Sequence, residues 1–315
     1  MIRSFKLGCC ATTVLAVIGL MLTPAGTMAA DKEIKIALTS DAVHVDPQQG
    51  NELTSNIMFN HFYDTLVRRT AALDFVPGLA ESWELKDELT WVFKLRKGVK
   101  FHNGDELKAS DVLFSIERCK NQLMSNLVRY IAEANALDDY TVEIKTPKPY
   151  AVLHMDLSEF HIINEKYVKD VGDEQLNLKP MGTGPYKLVE WVKEDHMTLA
   201  AFEDYYLGSP KIKKVTFRPI TNPATRTAAL LTGEVDVIQD LAVRDADRLK
   251  ANDKFNLITR PSLLNLVLAL DYRDKSPTID LPVNPMKDIR VREAIARAID
   301  VDTIGKVIMN NLATP

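Results

Sequence analysis

Residues 77–116 constrain the fold of this chain more than any other stretch. Within 91–95 every second residue is large and apolar (tryptophan, phenylalanine, leucine), the period of two that is typical of a half-buried strand. A turn at 97–98 and a second alternation over 99–101 predict a return strand. Ser110 precedes apolar residues at helical spacing, so it is predicted to cap a helix. The stretch therefore predicts β-hairpins that lead into a capped helix, and none of it requires a catalytic group.

Several short motifs along the chain carry a family resemblance. They are Asp46-Pro47-Gln48, Tyr63-Asp64-Thr65-Leu66-Val67, Pro77-Gly78-Leu79-Ala80-Glu81-Ser82-Trp83, the run from Leu95 to Gly104, Ala109 with Asp111-Val112, Met181-Gly182-Thr183-Gly184-Pro185-Tyr186, and Thr232-Gly233-Glu234-Val235-Asp236. Together they resemble the extracytoplasmic solute-binding proteins of family 5, the peptide- and nickel-binding type that serves ATP-binding-cassette importers. The resemblance covers essentially all of the chain after the first thirty residues.

The resemblance implies an α/β fold of the periplasmic binding protein type II class, a two-lobed Venus-flytrap with an extra inserted subdomain. The length of 315 residues also favours more than one lobe. The expected division is lobe I at 31–70 and 180–262, facing the ligand, an inserted α+β subdomain at 71–179, and a hinge strand with the start of lobe II at 263–315. Family members continue past Pro315, so we expect an incomplete second lobe. A fragment, a truncated reading frame and a split gene all remain open.

The first thirty residues have the pattern of a cleaved signal peptide. Arg3 and Lys6 form a charged start, 11–22 an apolar run too short for a membrane span, and 27–30 a small-residue cleavage region. An uncleaved anchor is the alternative. The pattern predicts export to the periplasm.

The cysteines favour a soluble exported protein over a lipoprotein. Cys9 and Cys10 precede the apolar run, whereas a lipid-modified cysteine should follow it. Cleavage of the signal leaves only Cys119, so the mature chain cannot form an internal disulfide.

Composition and motifs exclude several classes of function. The formal charge is −4, and loss of Arg3 and Lys6 with the signal makes the chain still more acidic, so we expect no nucleic-acid partner. The sequence has no His-Glu-x-x-His motif and no Gly-x-Ser-x-Gly elbow. The pair Gly182 and Gly184 precedes a strand pattern and not a helix, so a sharp turn is preferred over a phosphate cradle. We therefore predict no catalytic residue, no metal and no cofactor.

Two segments near the end of the chain are expected to open the second lobe. The apolar run 265–271 predicts a strand covered on both faces, and in the family a strand here crosses between lobes. The pattern of 288–300 predicts a helix with arginines outward. Its expected buried residues are Ile289, Ala294, Ile295, Ala298 and Ile299.

The resemblance also implies where lobe I meets its ligand. The family places contacts on the loop after the first strand and on the loop after the strand that ends at Ile238. An aspartate on either loop is suited to receive a cationic group such as a peptide amino terminus; the alternative is that these loop residues bond only to their own backbone. The candidate residues are Ser40, Asp41, Ala42, Val43, Gln239 and Asp240.

The resulting prediction is a monomeric periplasmic receptor and not an enzyme. It captures peptides or a related small solute by lobe closure and delivers the solute to an inner-membrane ABC permease complex. An exported hydrolase and a chemosensory solute receptor are the alternatives, and peptide, nickel-complex, opine and oligosaccharide ligands all stay open. Because closure needs contacts on both lobes, the chain as given is expected to bind its solute weakly or not at all.

Overall fold

The computed structural model describes residues 32–259, 267–275 and 283–313. The predicted signal peptide, 1–30, lies outside the described residues, as do positions 265–266 of the predicted hinge strand. Within the described ranges, none of the helices is long and apolar enough to cross a bilayer.

The chain contains both strands and helices, often in consecutive runs of one kind. The strands are β1 (Glu33–Leu38), β2 (Val67–Arg69), β3 (Phe75–Pro77), β4 (Ala80–Leu85), β5 (Thr90–Leu95), β6 (Glu133–Asp138), β7 (Thr141–Lys145), β8 (Tyr186–Val192), β9 (His196–Ala201), β10 (Lys214–Pro219) and β11 (Val237–Ile238). The helices are α1 (Leu53–Phe62), α2 (Ala109–Cys119), α3 (Leu153–Asp156), α4 (Glu165–Val171), α5 (Asp173–Leu176), α6 (Pro223–Thr232), α7 (Ala246–Lys250), α8 (Ile289–Ala298) and α9 (Val301–Thr303).

A five-stranded mixed sheet has the order β11-β1-β10-β9-β8. Strands β8, β9 and β10 form an antiparallel meander, whereas β1 pairs in parallel with both β10 and β11. Ile36 of β1 lies opposite Phe217 on one side and Val237 on the other. Parallel strands need a crossover connection, and α6 supplies it between β10 and β11, which lie on either side of β1. The carboxyl ends of β1, β10 and β11 therefore reach one edge of this sheet.

The stretch 77–116 enters a second, antiparallel sheet of order β4-β5-β7-β6. The strand predicted over 91–95 is confirmed as β5, whose tryptophan, phenylalanine and leucine are buried. The predicted alternation holds only in part, because Lys94 is exposed but Val92 is buried as well. The predicted return strand at 99–101 is wrong, because its ladder is reduced to one isolated bridge between Lys100 and Glu106. Apolar residues alternate at 99–101 because the side chains of Val99 and Phe101 are buried, although the segment does not form a regular strand.

Helix α2 begins two residues earlier than predicted. Ser110 is not its N-cap; Lys108 is, and Asp111 Oδ2 accepts the Lys108 backbone N–H at 2.9 Å. The carboxylate in the first turn satisfies the backbone donor of Lys108, whereas the Ser110 side chain lies two positions too late to cap this helix. The helix ends at Cys119, a buried free thiol whose pKa burial raises to about 12.

Two large apolar clusters hold these elements together. One packs the four-stranded sheet against α2, and the other packs the five-stranded sheet against α1. Ile163, Val168 and Leu176 lie within the predicted insert 71–179 and yet join the second cluster, so the two regions share packing. Prominent members of the first are Phe93, Leu95, Phe101, Leu107 and Phe160, and of the second Met58, Phe59, Phe62, Leu199 and Phe217.

The glycine-rich loop before β8 passes directly over the end of α1. A Cβ on Gly182 would lie 2.1 Å from the Phe62 carbonyl oxygen, and one on Gly184 would lie 2.5 Å from the Phe62 carbonyl carbon. Backbone approach this close excludes any side chain. The glycines therefore serve a sharp turn into β8, as the sequence predicts.

The segment after α7 differs most from expectation. Positions 267–271, the described part of the predicted hinge strand, are not in a strand, and Val267 and Leu268 are 76% and 63% exposed. Helix α8 forms as predicted, but within the described residues it buries none of its side chains. The predicted burial is therefore wrong: Ile289, Ala294, Ala298 and Ile299 are exposed and Ile295 is half-buried. An apolar stripe is buried only where another element packs on it, and in the described ranges none covers this one.

Candidate functional site

The predicted ligand residues lie at the carboxyl edge of the parallel strands. Residues 40–43 follow β1, Gln239 and Asp240 follow β11, and Ile220 and Thr221 follow β10. In open α/β sheets the crevice outside the carboxyl ends of the strands, where the strand order reverses direction, is the preferred ligand position. Strand β1 is that reversal point, because its two parallel neighbours lie on opposite sides. The structure thus brings both predicted loops to one edge, hereafter the carboxyl edge.

Ser40 and Asp41 behave differently at this edge. Ser40 is exposed, and its Oγ lies 2.8 Å from Thr54 Oγ1. The Asp41 carboxylate accepts hydrogen bonds from the Ala42 N–H at 2.8 Å, the Glu194 N–H at 2.9 Å and Trp191 Nε1 at 3.1 Å. Asp41 therefore fixes the loop after β1 to the turn between β8 and β9. Its carboxylate oxygens already accept hydrogen bonds from groups of the same chain.

Ala42 and Val43 contribute mainly their backbone. Ala42 is buried, and its carbonyl accepts Lys193 Nζ at 3.2 Å. The same ammonium lies 3.3 Å from the centre of the Trp191 ring, a cation–π contact. Burial lowers the pKa of Lys193, while the Asp41 charge opposes that change. Val43 is 53% exposed, and its N–H donates to Ser55 Oγ at 3.2 Å.

Gln239 and Asp240 stand on the opposite side of β1. The Gln239 N–H donates to the Ala37 carbonyl at 2.9 Å, which continues the ladder beyond β11. Its side-chain Oε1 is buried and has no hydrogen-bond partner in the described part of the chain. Asp240 takes a left-handed backbone conformation with φ of 57°, and its side chain is 75% exposed. This loop therefore offers an amide and a carboxylate at the carboxyl edge.

Arg226 of α6 organises the edge and was missed from the sequence. Its side chain is only 1% exposed. Nη1 donates to the carbonyls of Ile220 at 2.6 Å and Thr221 at 2.8 Å, and Nη2 donates to the Asp240 carbonyl at 2.8 Å. One buried guanidinium thus joins the loops after β10 and β11. The available signal was its spacing: it stands three residues before buried Ala229 on the inward face of α6.

A cavity beneath the loop after β1 is too small for a solute. Its volume is about 10 Å³, and Ser40, Asp41 and Ala42 lie above apolar side chains of the sheet and α1. That volume is about enough for one water molecule. In the described residues the carboxyl edge is therefore an open wall lined with hydroxyl, amide and carboxylate groups. Within the same ranges, His, Cys, Asp and Glu side chains form no group of three or more suited to a metal ion.

Comparison with known proteins identifies the family. Residues 74–315 match the model of the bacterial extracellular solute-binding proteins, family 5. The chain is 31% identical over 294 residues to the glutathione-binding protein GsiB of Pectobacterium atrosepticum, covering 91% of this chain and 55% of that protein. The chain thus spans little more than half the length of that curated relative.

Solved structures agree with the fold. The periplasmic binding protein MoaA of A. tumefaciens R10, solved with mannopinic acid, has a TM-score of 0.77 and 30% identity over 88% of this chain and 57% of its own. DppA of Helicobacter pylori, solved with the peptide STSA, has a TM-score of 0.65 and 28% identity over 71% and 50%. They confirm the predicted α/β fold of the type II periplasmic binding proteins. The chain belongs to the bacterial extracellular solute-binding proteins of family 5.

Proposed function

We propose that the chain is part of a solute receptor that serves an ABC importer. The family match over 74–315 carries this proposal. The open carboxyl edge supports it, because polar groups from two loops present a wall on which a solute can lie without any catalytic machinery. The receptor captures its solute between two lobes and passes it to a membrane permease.

Peptides or closely related small solutes are the favoured ligands. GsiB is named as a glutathione-binding protein, glutathione being a tripeptide, and DppA was solved with a tetrapeptide. MoaA was solved with mannopinic acid, so an opine is the next candidate ligand. Nickel complexes and oligosaccharides are included in the test below.

Within the carboxyl edge we assign the direct contacts to Ser40, Gln239 and Asp240. The exposed Asp240 carboxylate lies 3.7 Å from Arg226 Nη2, beyond hydrogen-bond distance, so its oxygens keep capacity for a peptide ammonium. Asp41 is assigned to holding the loop, with Ala42 and Val43 shaping its backbone.

The proposed organisation follows the sequence. Lobe I comprises 31–70 and 180–262, the insert 71–179, and the hinge with the start of lobe II 263–315. The five-stranded sheet lies within the lobe I segments and the four-stranded sheet lies within the insert, which supports the division between the first two. The basic start, apolar run and small-residue site within 1–30 support cleavage and a periplasmic location.

Isothermal titration tests this function. Glutathione, Ser-Thr-Ser-Ala, mannopinic acid, nickel–histidine and an oligosaccharide are titrated into the chain, alone and continued by the C-terminal segment of GsiB. We expect saturable peptide binding that Asp240→Asn weakens about tenfold and that Asp253→Asn, an exposed control, leaves unchanged. Failure of every ligand to bind would contradict the proposal, and mass-spectrometric detection of ligand breakdown would favour the hydrolase instead.

A further inference from the structure

A polar pocket, here called the Asp64 pocket, lies at the end of the five-stranded sheet that is opposite the carboxyl edge. Its volume is about 400 Å³, and its walls include Asp64, Arg68, His161, Pro185 and Tyr205. Pro185 and Tyr205 flank the paired ends of β8 and β9, which are next to the amino-terminal ends of β10 and β1. The pocket is therefore at the edge opposite the carboxyl edge and does not share its residues.

Asp64 brings a poorly compensated carboxyl group to this pocket. The residue is only 7% exposed. Tyr205 OH donates to Oδ1 at 3.2 Å and Thr183 Oγ1 donates to Oδ2 at 3.4 Å, so these two donors are neutral and their hydrogen bonds are long. Burial raises the pKa of Asp64 to about 7, while the Arg68 charge opposes that rise. A buried carboxylate in this state gains strongly from a cationic partner.

Arg68 brings the opposite charge to the pocket. In the described part of the chain its guanidinium makes no hydrogen bond and no ion pair, whereas the adjacent Arg69 is paired with Glu159. Arg68 is near enough to act on the Asp64 carboxyl, yet the two form no ion pair. A free guanidinium and a buried carboxyl thus face one cavity with a gap between them.

His161 adds a neutral polar wall. Burial lowers the pKa of its imidazole to about 4, so the ring is uncharged at neutral pH. Its Nε2 is buried without a hydrogen-bond partner among the described residues. Within the described ranges the pocket therefore holds a buried carboxyl, an unpaired guanidinium and a neutral ring, beside the Arg69–Glu159 ion pair whose two charges already compensate each other.

We infer that the Asp64 pocket binds a small zwitterion of the free amino-acid type, with its ammonium on Asp64 and its carboxylate on Arg68. A molecule that carries both charges bridges the two side chains that do not reach each other. Charge-assisted hydrogen bonds at both ends provide the selectivity, since a ligand with one charge leaves the other side chain without a partner.

Isothermal titration of the whole chain with L-serine tests the inference. We expect saturable binding at millimolar concentration. N-acetyl-L-serine lacks the ammonium and L-serine methyl ester lacks the carboxylate, so each should bind at least about tenfold more weakly. Absence of saturable L-serine binding, or equal binding of the three compounds, would overturn the inference.

Variants locate the binding. Arg68→Gln should weaken L-serine binding about tenfold, and because Arg68 is exposed the variant should fold. Arg69→Gln removes a neighbouring guanidinium already paired with Glu159 and should change the affinity less than about twofold. Gln239→Ala at the carboxyl edge should have no effect. An unchanged affinity in Arg68→Gln, or an equal loss in Arg69→Gln or Gln239→Ala, would refute the assignment.

Discussion

Arg118 and Asp46 form a buried ion pair between the loop after β1 and the end of α2. Arg118 Nη2 donates to Asp46 Oδ2 at 2.5 Å, and the two side chains are 7% and 1% exposed. The guanidinium also donates to Gln48 Oε1 at 2.7 Å and to Asp173 Oδ1 at 2.9 Å. The loop that continues toward α1 is thus tied to an element of the region 71–179.

Asp46→Ala should destabilise the fold strongly. It leaves the Arg118 guanidinium buried without its closest anion, and removal of one partner of a buried pair costs about 3–5 kcal/mol. Urea denaturation measures the loss. Glu117→Ala, which breaks the exposed pair with Lys120, is the control and should cost less than about 1 kcal/mol. Equal losses in the two variants would show that the buried pair has no special role.

Local sequence signals predicted the elements that depend on local interactions. Local signals of this kind bound α6: Asn222 Oδ1 accepts N–H groups of the first turn, Pro223 is the first helical residue, and Gly233 ends the helix with φ of 77°. Burial was less predictable. The apolar spacing of α8 is that of a buried helix, yet the helix buries none of its described side chains. Burial requires a second element that packs on the apolar face, and the local sequence does not show whether one is present.

The candidate site shows the same division. Its two loops follow from the strand pattern and from the family resemblance, and the structure brings them to one edge. Arg226 was missed because an arginine in a helix is usually solvated, and its three carbonyl partners lie on two different loops. The hydrogen bonds that the Asp41 carboxylate accepts could not be predicted either, since Trp191 and Glu194 are distant from it in sequence.

Gly184→Ala should be among the most destabilising small substitutions. The added Cβ would lie 2.5–2.7 Å from backbone atoms of 61–63, which cannot move without displacing the end of α1. Forcing atoms into a packed region costs about 1–3 kcal/mol, and rigid backbone neighbours favour the upper end. Thermal and urea unfolding measure it. Gly98→Asn is the control: φ is 74° and nothing lies within 4 Å, so asparagine should cost less than about 1 kcal/mol.

Asp64→Asn should change how stability depends on pH. The folded-state pKa of Asp64 is raised to about 7 from 3.8. Between these values the unfolded chain releases a proton that the folded chain keeps, so this carboxyl makes the wild type less stable as pH rises. The full effect is up to about 4 kcal/mol.

The measurement compares urea denaturation of wild type and Asp64→Asn at pH 4.5 and 7.5. The stability of wild type relative to the variant should fall between the two conditions. His161→Gln provides the opposite sign: burial lowers the folded-state pKa of His161 to about 4 from 6.5, so wild type relative to that variant should lose stability as pH falls. A constant difference between wild type and Asp64→Asn would contradict the buried, protonated carboxyl.

Arg226→Met should loosen the carboxyl edge. The change leaves the carbonyls of Ile220, Thr221 and Asp240 without their guanidinium donor, and each lost charged hydrogen bond is worth about 1.5–3 kcal/mol. Amide hydrogen exchange should rise in the loops after β10 and β11. Arg248→Met, at an exposed residue paired with Asp245, should leave both stability and exchange nearly unchanged, and similar exchange in the two variants would refute the bridging role.

Solute affinity should depend on contacts beyond the carboxyl edge. The edge is an open wall in the described residues, and its associated cavity has room for about one water molecule. A solute that touches one wall gains nothing from lobe closure, whereas moving a mostly open population to a mostly closed one requires about 5 kcal/mol of differential binding. The chain alone should therefore bind glutathione or Ser-Thr-Ser-Ala at least about a hundredfold more weakly than the same chain continued by the C-terminal segment of GsiB.

Isothermal titration compares the affinities of the two chains, with circular dichroism to verify folding. Asp240→Asn should weaken binding in the longer chain. Equal affinities of the short and long chains would mean that the carboxyl edge alone supplies the binding energy, and closure would then have no part in capture.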